Sequence, residues 1–330
     1  MNRILKPPKL KRGDIIGVIA TSFPFPKDRK SDYYKSYERG IEILRKLGFK
    51  IRHGKNLEKV KWWFAGTPEE RASDINSMFS DPEVKAIIVH DGGQSAIAVL
   101  EHINYDLMRT NPKPFLGFSD ITNLHLAFLT QSDMVGFHMG LLTYSLGWIW
   151  HDVVPKEDRE NGEKLLYKIL TSCEPLGKIT PITEWEEWRP GKAEGRLFGG
   201  NLNMLASLVG TRYFPRIEDL EGSILFWEID NTPSYYIERG LYQLKYAGVL
   251  DIISGMLIGK LPDIKRTAWK GFKEPTPKEI VMEVLREYKF PILGEVDFGH
   301  KTVNIPMPIG LPVKMDSGRL TLEFLEAAVY

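Results

Sequence analysis

Short apolar runs alternate with amphipathic stretches through the first half of the chain. Residues 15–20, 86–89, 115–118 and 134–137 are apolar runs flanked by Gly, Pro, Asp or Ser, the pattern of buried strands, and 49–52 is expected to form a further short strand. Between them, Tyr34, Tyr37, Ile41 and Leu44 fall on one helical face, closed by Gly48 just past its end. Thr67-Pro68-Glu69-Glu70 combines an N-cap, a proline at the first helical position and a glutamate three residues after the cap, which predicts a helix start and a helix to residue 79. Further helices are expected at 96–102 and after Ser119, where Leu124, Ala127 and Phe128 share a face. This alternation predicts a parallel sheet flanked by helices, an α/β fold in which ligands gather at the carboxyl ends of the strands.

From residue 143 to 188 the pattern loosens, apart from a helical stretch at 163–170. Regular patterning resumes with strands at 195–198, 223–227, 256–258 and 292–296. Helices are expected after Asn201 and at 234–246 and 277–288, and short strands between Pro and Gly turns follow. At 330 residues the chain exceeds the size at which one core stops growing. Two domains are therefore expected, 1–171 and 183–330, with 172–182 as the linker.

Lys and Arg number 44 against 43 Asp and Glu, a net charge of +1 without long blocks of one sign, which argues against a nucleic-acid surface. The single cysteine, Cys173, excludes an internal disulfide, and no His pair stands at metal-ligand spacing. No run approaches the ~20 apolar residues needed to span a bilayer, and no signal-peptide core is found, so a soluble cytoplasmic protein without metal or cofactor is expected.

Pro114-Phe115-Leu116-Gly117-Phe118-Ser119-Asp120-Ile121-Thr122 carries the candidate chemistry. An apolar strand gives way at once to a helix, lifting Ser119 to a helix start where free backbone N–H groups can stabilise developing negative charge. The same serine could equally serve as an N-cap. A nucleophilic role needs a base and a carboxylate. His125 lies six residues along the same helix and on a different side, so it is a poor base. His90 and His138 stand at strand ends and could line a cleft, whereas His53, His102 and His151 fit surface or core positions. His300 follows a strand and Gly299 in the second half, and Glu228 ends an apolar strand, where a buried carboxylate requires a partner.

Several blocks resemble the LD-carboxypeptidase family of serine peptidases, which includes muramoyltetrapeptide carboxypeptidases and microcin C self-immunity peptidases. They are Ala65-Gly66-Thr67-Pro68-Glu69-Glu70-Arg71, Asp91-Gly92-Gly93, Gly117-Phe118-Ser119-Asp120-Ile121-Thr122, Gly199-Gly200-Asn201-Leu202, Phe226-Trp227-Glu228 and Gly299-His300. The resemblance implies an α/β N-terminal domain and a β-rich C-terminal domain with the active site between them. It makes Ser119 the nucleophile, His300 the general base and Glu228 the group that orients His300, with the backbone N–H groups of Gly93 and Asp120 as the oxyanion hole. Asn201, His138 and Trp185 are expected to touch substrate. Gly92-Gly93-Gln94-Ser95 departs from the Gly-Gly-Tyr-Gly of many relatives, and His138-Met139-Gly140 from their His-Gly-Pro-like element. The resemblance also implies a homodimer. The expected reaction is hydrolysis of an amide near a free carboxyl end, on a murein peptide or, in the manner of the microcin-immunity branch, on an aminoacyl-nucleotide amide. A two-lobed protein that binds a small ligand without turnover is the competing class.

Overall fold

The computed structural model describes residues 4–262, 271 and 273–330. Five strands of the first half, β1 (Ile15–Ile19), β2 (Lys50–His53), β3 (Val84–Val89), β4 (Phe115–Gly117) and β5 (Gly136–His138), pair in parallel in the order β5-β4-β3-β1-β2. Apart from the exposed Lys85 near the start of β3, their central members are apolar because both faces are covered. Ala86 and Ile88 face the core shared with the helix Asp32–Lys46, whereas Ile87 and Val89 face the core shared with the helices Pro68–Ser80 and Thr122–Ser132. The capping box forms as the sequence predicts: the Thr67 hydroxyl accepts from Glu70 N at 3.2 Å and Glu70 Oε2 accepts from Thr67 N at 2.9 Å.

A second sheet is built from β6 (Gly177–Ile179), β7 (Glu186–Arg189), β8 (Lys192–Asn201), β9 (Ile224–Glu228), β10 (Gly255–Gly259) and β11 (Ile292–Val296), with β13 (Pro312–Asp316) and β14 (Thr321–Phe324). Its order is β6-β14-β13-β8-β9-β10-β11-β7; the centre from β8 to β11 is parallel and the edges are antiparallel. The remaining strand, β12 (Met307–Ile309), leaves this half and pairs antiparallel with β5 through Met307 and His138, so the first sheet is mixed, with six strands. Among the described residues no helix is long and apolar enough to cross a membrane.

The stretch that lacks clear periodicity, 143–188, is more ordered than its sequence suggests. It begins in a π-helix, Leu142–Val153, whose i→i+5 bonding spaces apolar residues outside the 3.6 period that reveals α-helices. The helix that follows, Lys156–Thr171, starts earlier than the apolar pattern at 163–170 because its first turns are charged and exposed. β6 lies within the 172–182 segment and pairs with β14.

The π-helix lies backbone to backbone on the helix Asp32–Lys46. Cβ atoms added at Gly40 and Gly147 would collide with the carbonyl oxygens of Leu142 and Ser36 respectively. Replacing Gly147 by alanine is therefore expected to destabilise the protein by about 3 kcal/mol through overpacking against backbone that cannot give way. A thermal or denaturant melt checks this, and an unchanged midpoint would refute the close contact.

Candidate active site

β4 ends at Gly117, where a Cβ would sit 2.9 Å from Ile121 Cγ1, so only glycine lets the chain double back this tightly. Phe118 is still extended, and Ser119 then adopts φ +61°, a left-handed conformation costing a non-glycine residue about 1–3 kcal/mol. The turn continues as the 3₁₀ segment Ser119–Ile121 into the helix Thr122–Ser132, and neither helical start carries a side-chain cap. Ser119 Oγ is instead 3.2 Å from His300 Nε2. The N-cap alternative is thus replaced by a serine aimed at an imidazole nitrogen. His125 supports the turn from beneath: its Nε2–H donates to the Gly117 carbonyl at 2.8 Å, and burial lowers its pKa to about 4.

His300 Nδ1 is 2.6 Å from Glu228 Oε2. Glu228 is fully buried at the end of β9, and its other oxygen accepts from Asn201 Nδ2 at 3.0 Å. Gly299, at φ +117°, lets the His300 loop lie against this carboxylate, since a Cβ there would be 3.3 Å from Glu228 Cβ. Burial alone would push the imidazole's pKa down; the Glu228 charge and hydrogen bond, joined by the charges of Asp230 and Asp91, outweigh it and leave the pKa raised. With Nδ1–H donating to the carboxylate, Nε2 keeps its lone pair toward the serine hydroxyl.

The ring of His300 is held between Phe118, at a centroid distance of 4.7 Å, and Tyr144, edge-on at 5.6 Å. The Tyr144 hydroxyl also donates to the His300 carbonyl at 3.2 Å, and Trp150 Nε1–H to the Val303 carbonyl at 3.0 Å. Both come from the π-helix. On the other flank Asp297, fully buried, accepts from Ile182 N and Trp185 Nε1, each at 2.7 Å. None of these supports was legible in the sequence: Tyr144 and Trp150 lie where no helical period shows, and Asp297 reads as an ordinary turn residue.

Gly92 and Gly93 lie beside the serine; a Cβ on Gly92 would be 3.7 Å from Ser119 Oγ. Gly93 adopts φ +142°, and a Cβ there would collide with Ser22 Oγ. The backbone N–H groups of Gly93 and Asp120 have no hydrogen-bond partner among the described residues. A tetrahedral oxygen formed on a carbonyl at Ser119 Oγ would find two open donors nearby.

The three residues expected to touch substrate are all buried. His138 is fully buried beneath Phe118 and Phe226, its rings' centroid distances 5.8 and 5.1 Å, and burial holds its pKa well below the ordinary histidine value. Trp185 is 4% exposed and spends its indole N–H on Asp297, which makes it a core residue rather than a stacking surface. Asn201 is buried behind the triad, where its backbone N donates to Thr122 Oγ1 at 2.9 Å and its side-chain oxygen caps the helix Leu202–Leu208. Among the described residues no group of three or more His, Cys, Asp or Glu is placed to hold a metal ion.

The chain matches the model of the LD-carboxypeptidase N-terminal domain over residues 16–139 and that of the LD-carboxypeptidase C-terminal domain over residues 194–315. It is 34% identical to the probable murein peptide carboxypeptidase of Bacillus subtilis (strain 168), over 98% of this chain and 95% of that protein. Identity to the microcin C7 self-immunity protein MccF of Escherichia coli is 29%, over 95% of this chain and 94% of that one. The structure of MccF in complex with glutamyl sulfamoyl guanosine is similar with a TM-score of 0.86 at 26% identity, covering 99% of this chain and 100% of that chain. MccF in complex with aspartyl sulfamoyl adenosine gives a TM-score of 0.84 at the same 26% identity, again covering 99% and 100% of the two chains.

Proposed function

We propose, from the premise that this chain belongs to the LD-carboxypeptidase family of amide hydrolases, that Ser119 is its nucleophile and that Glu228 and His300 complete a triad. The observation that carries this reading is the relay of 3.2 Å from Ser119 Oγ to His300 Nε2 and 2.6 Å from Nδ1 to Glu228. Ser119 Oγ attacks the scissile carbonyl while Nε2 takes its proton, and the buried Glu228 carboxylate stabilises the resulting imidazolium. The oxyanion rests on the N–H groups of Gly93 and Asp120. His300 then protonates the departing amine, leaving an ester on Ser119. Water, deprotonated by the same nitrogen, attacks the ester and releases the acid.

The substrate proposed is a murein peptide cleaved at its terminal residue, in line with the named activity of the 34% identical relative. Cleavage of an aminoacyl-nucleotide amide is the second reading, favoured by similarity to MccF bound to aspartyl sulfamoyl adenosine. Trp185 gives that reading no support, because its ring is buried. A homodimeric, cytoplasmic enzyme divided at 172–182 is part of the same proposal.

Incubating the purified enzyme separately with a murein tetrapeptide ending in D-alanine and with aspartyl sulfamoyl adenosine, and identifying products by mass, separates the two. Release of D-alanine and the tripeptide is expected. Cleavage of the sulfamoyl adenosine alone would establish the second reading, and cleavage of neither would overturn both.

A further inference from the structure

Between Gly92 and Ala96 the loop after β3 offers five consecutive backbone N–H groups, and four of them are occupied. Gly92 N donates to Asp91 Oδ1 at 2.8 Å. Gln94 N and Ser95 N both donate to Ser22 Oγ, at 3.0 and 2.8 Å. Ser95 N, again, and Ala96 N donate to Asp120 Oδ2 at 3.0 and 2.9 Å. The N–H left over is that of Gly93. Consecutive N–H groups of this kind form a concave anion site, and here the chain fills it with its own carboxylate, which is fully buried. Arg71 braces the arrangement from below: its guanidinium donates to the carbonyls of Thr21 at 2.6 Å and Ser95 at 3.0 Å, clamping together the two segments that Ser22 joins.

We propose that the Asp120 carboxylate and the Ser22 hydroxyl are the positioning groups of the oxyanion hole. Asp120 serves both halves of it. Its own backbone N–H is one open donor, and its side chain, two rotatable bonds away, fixes the loop that carries the other. Ser22 closes the same loop from the bend that follows β1 and leaves Gly93 no room for a side chain. The two donors are therefore held rigidly relative to each other and to Ser119, and need no reorganisation when charge develops. Neither side chain touches the substrate; each acts through the backbone it holds.

This inference rests on the assignment of Ser119 as nucleophile, and the test separates the two. Ser22→Ala removes one hydroxyl from a fully buried position and leaves Asp120 in place. With the murein tetrapeptide as substrate, kcat is expected to fall about tenfold to a hundredfold, below the loss from deleting an oxyanion donor outright. KM should stay within twofold, and the acid limb of the pH–rate profile should not move, because His300 and Glu228 are untouched. Asp120→Asn should show the same pattern with a larger loss of kcat; if that variant fails to fold, Ser22→Ala decides. A Ser22→Ala kcat within twofold of wild type, a KM that rises as kcat falls, or a shifted acid limb would each overturn the inference. Ser119→Ala is the control. If it still turns over, the nucleophile assignment fails; if it is dead while Ser22→Ala is fully active, only the positioning role fails.

Discussion

Replacing Ser119 by alanine is expected to lower turnover of the cleaved amide by ~10,000-fold or more, because no acyl-enzyme can form and only the oxyanion donors and substrate binding remain. The fold should survive the change. Among the described residues the hydroxyl's one hydrogen-bond partner is His300, and the left-handed φ of +61° is no worse for alanine than for serine. A stability change within about 1 kcal/mol follows, as for substitutions that create neither a cavity nor an orphaned buried group. Steady-state rates and a thermal melt on the same preparation check both halves of the expectation. Turnover within tenfold of wild type would remove Ser119 from the mechanism.

Glu228→Gln should cost roughly a hundredfold to ten-thousandfold in kcat, since the neutral amide neither stabilises an imidazolium nor enforces the tautomer with its proton on Nδ1. Its pH signature is the sharper test. In the wild type the His300 pKa is raised above its ordinary value, and kcat/KM rises with pH as the imidazole loses its proton and becomes a base. The burial that opposes this remains in the variant while the largest charge that raises the pKa is gone, so the acid limb should move to lower pH. Stability follows the same linkage. A histidine that binds its proton more tightly when folded stabilises the protein below its unfolded pKa, and that contribution disappears as pH rises through the folded value. The variant should lose this acid-side stabilisation. An acid limb that stays in place would mean that Glu228 does not set the protonation of His300.

The architecture was legible wherever packing imposed a period. β1, β3 and β4 are apolar on both faces because helices cover both, and the Thr67 capping box announced its helix from four residues. The turn at Ser119 was visible for the same reason: a buried strand and an apolar helix, itself buried on nearly every side, leave no residues between them for a loop. Legibility failed where a side chain's surroundings come from distant chain. His138 and Trp185 have the composition of cleft residues, yet Phe118 and Phe226 close over one and Asp297 binds the other. Ser22 gives no signal in the sequence because its acceptor role depends on N–H groups 72 and 73 positions away. Tyr144 was hidden by a helix type whose spacing resembles no common template.

The antiparallel pairing of Met307–Ile309 with β5 also governs when the protein acquires its activity during synthesis. A ribosome that has delivered the whole first half has produced the serine and its turn, but the outer edge of β5 is still bare. That edge waits for a strand whose residues lie 169 to 173 positions later, from His138↔Met307 to Gly136↔Ile309. His300 lies only a few residues ahead of the strand that seals it. Sealing of the first sheet and delivery of His300 therefore happen together, after the first half has been made. A chain that stops before residue 300 carries an open strand edge, the kind of template that invites aggregation, and lacks the imidazole that stands beside Ser119. One short stretch, residues 300–309, thus supplies both the imidazole beside Ser119 and the strand that covers the edge of β5.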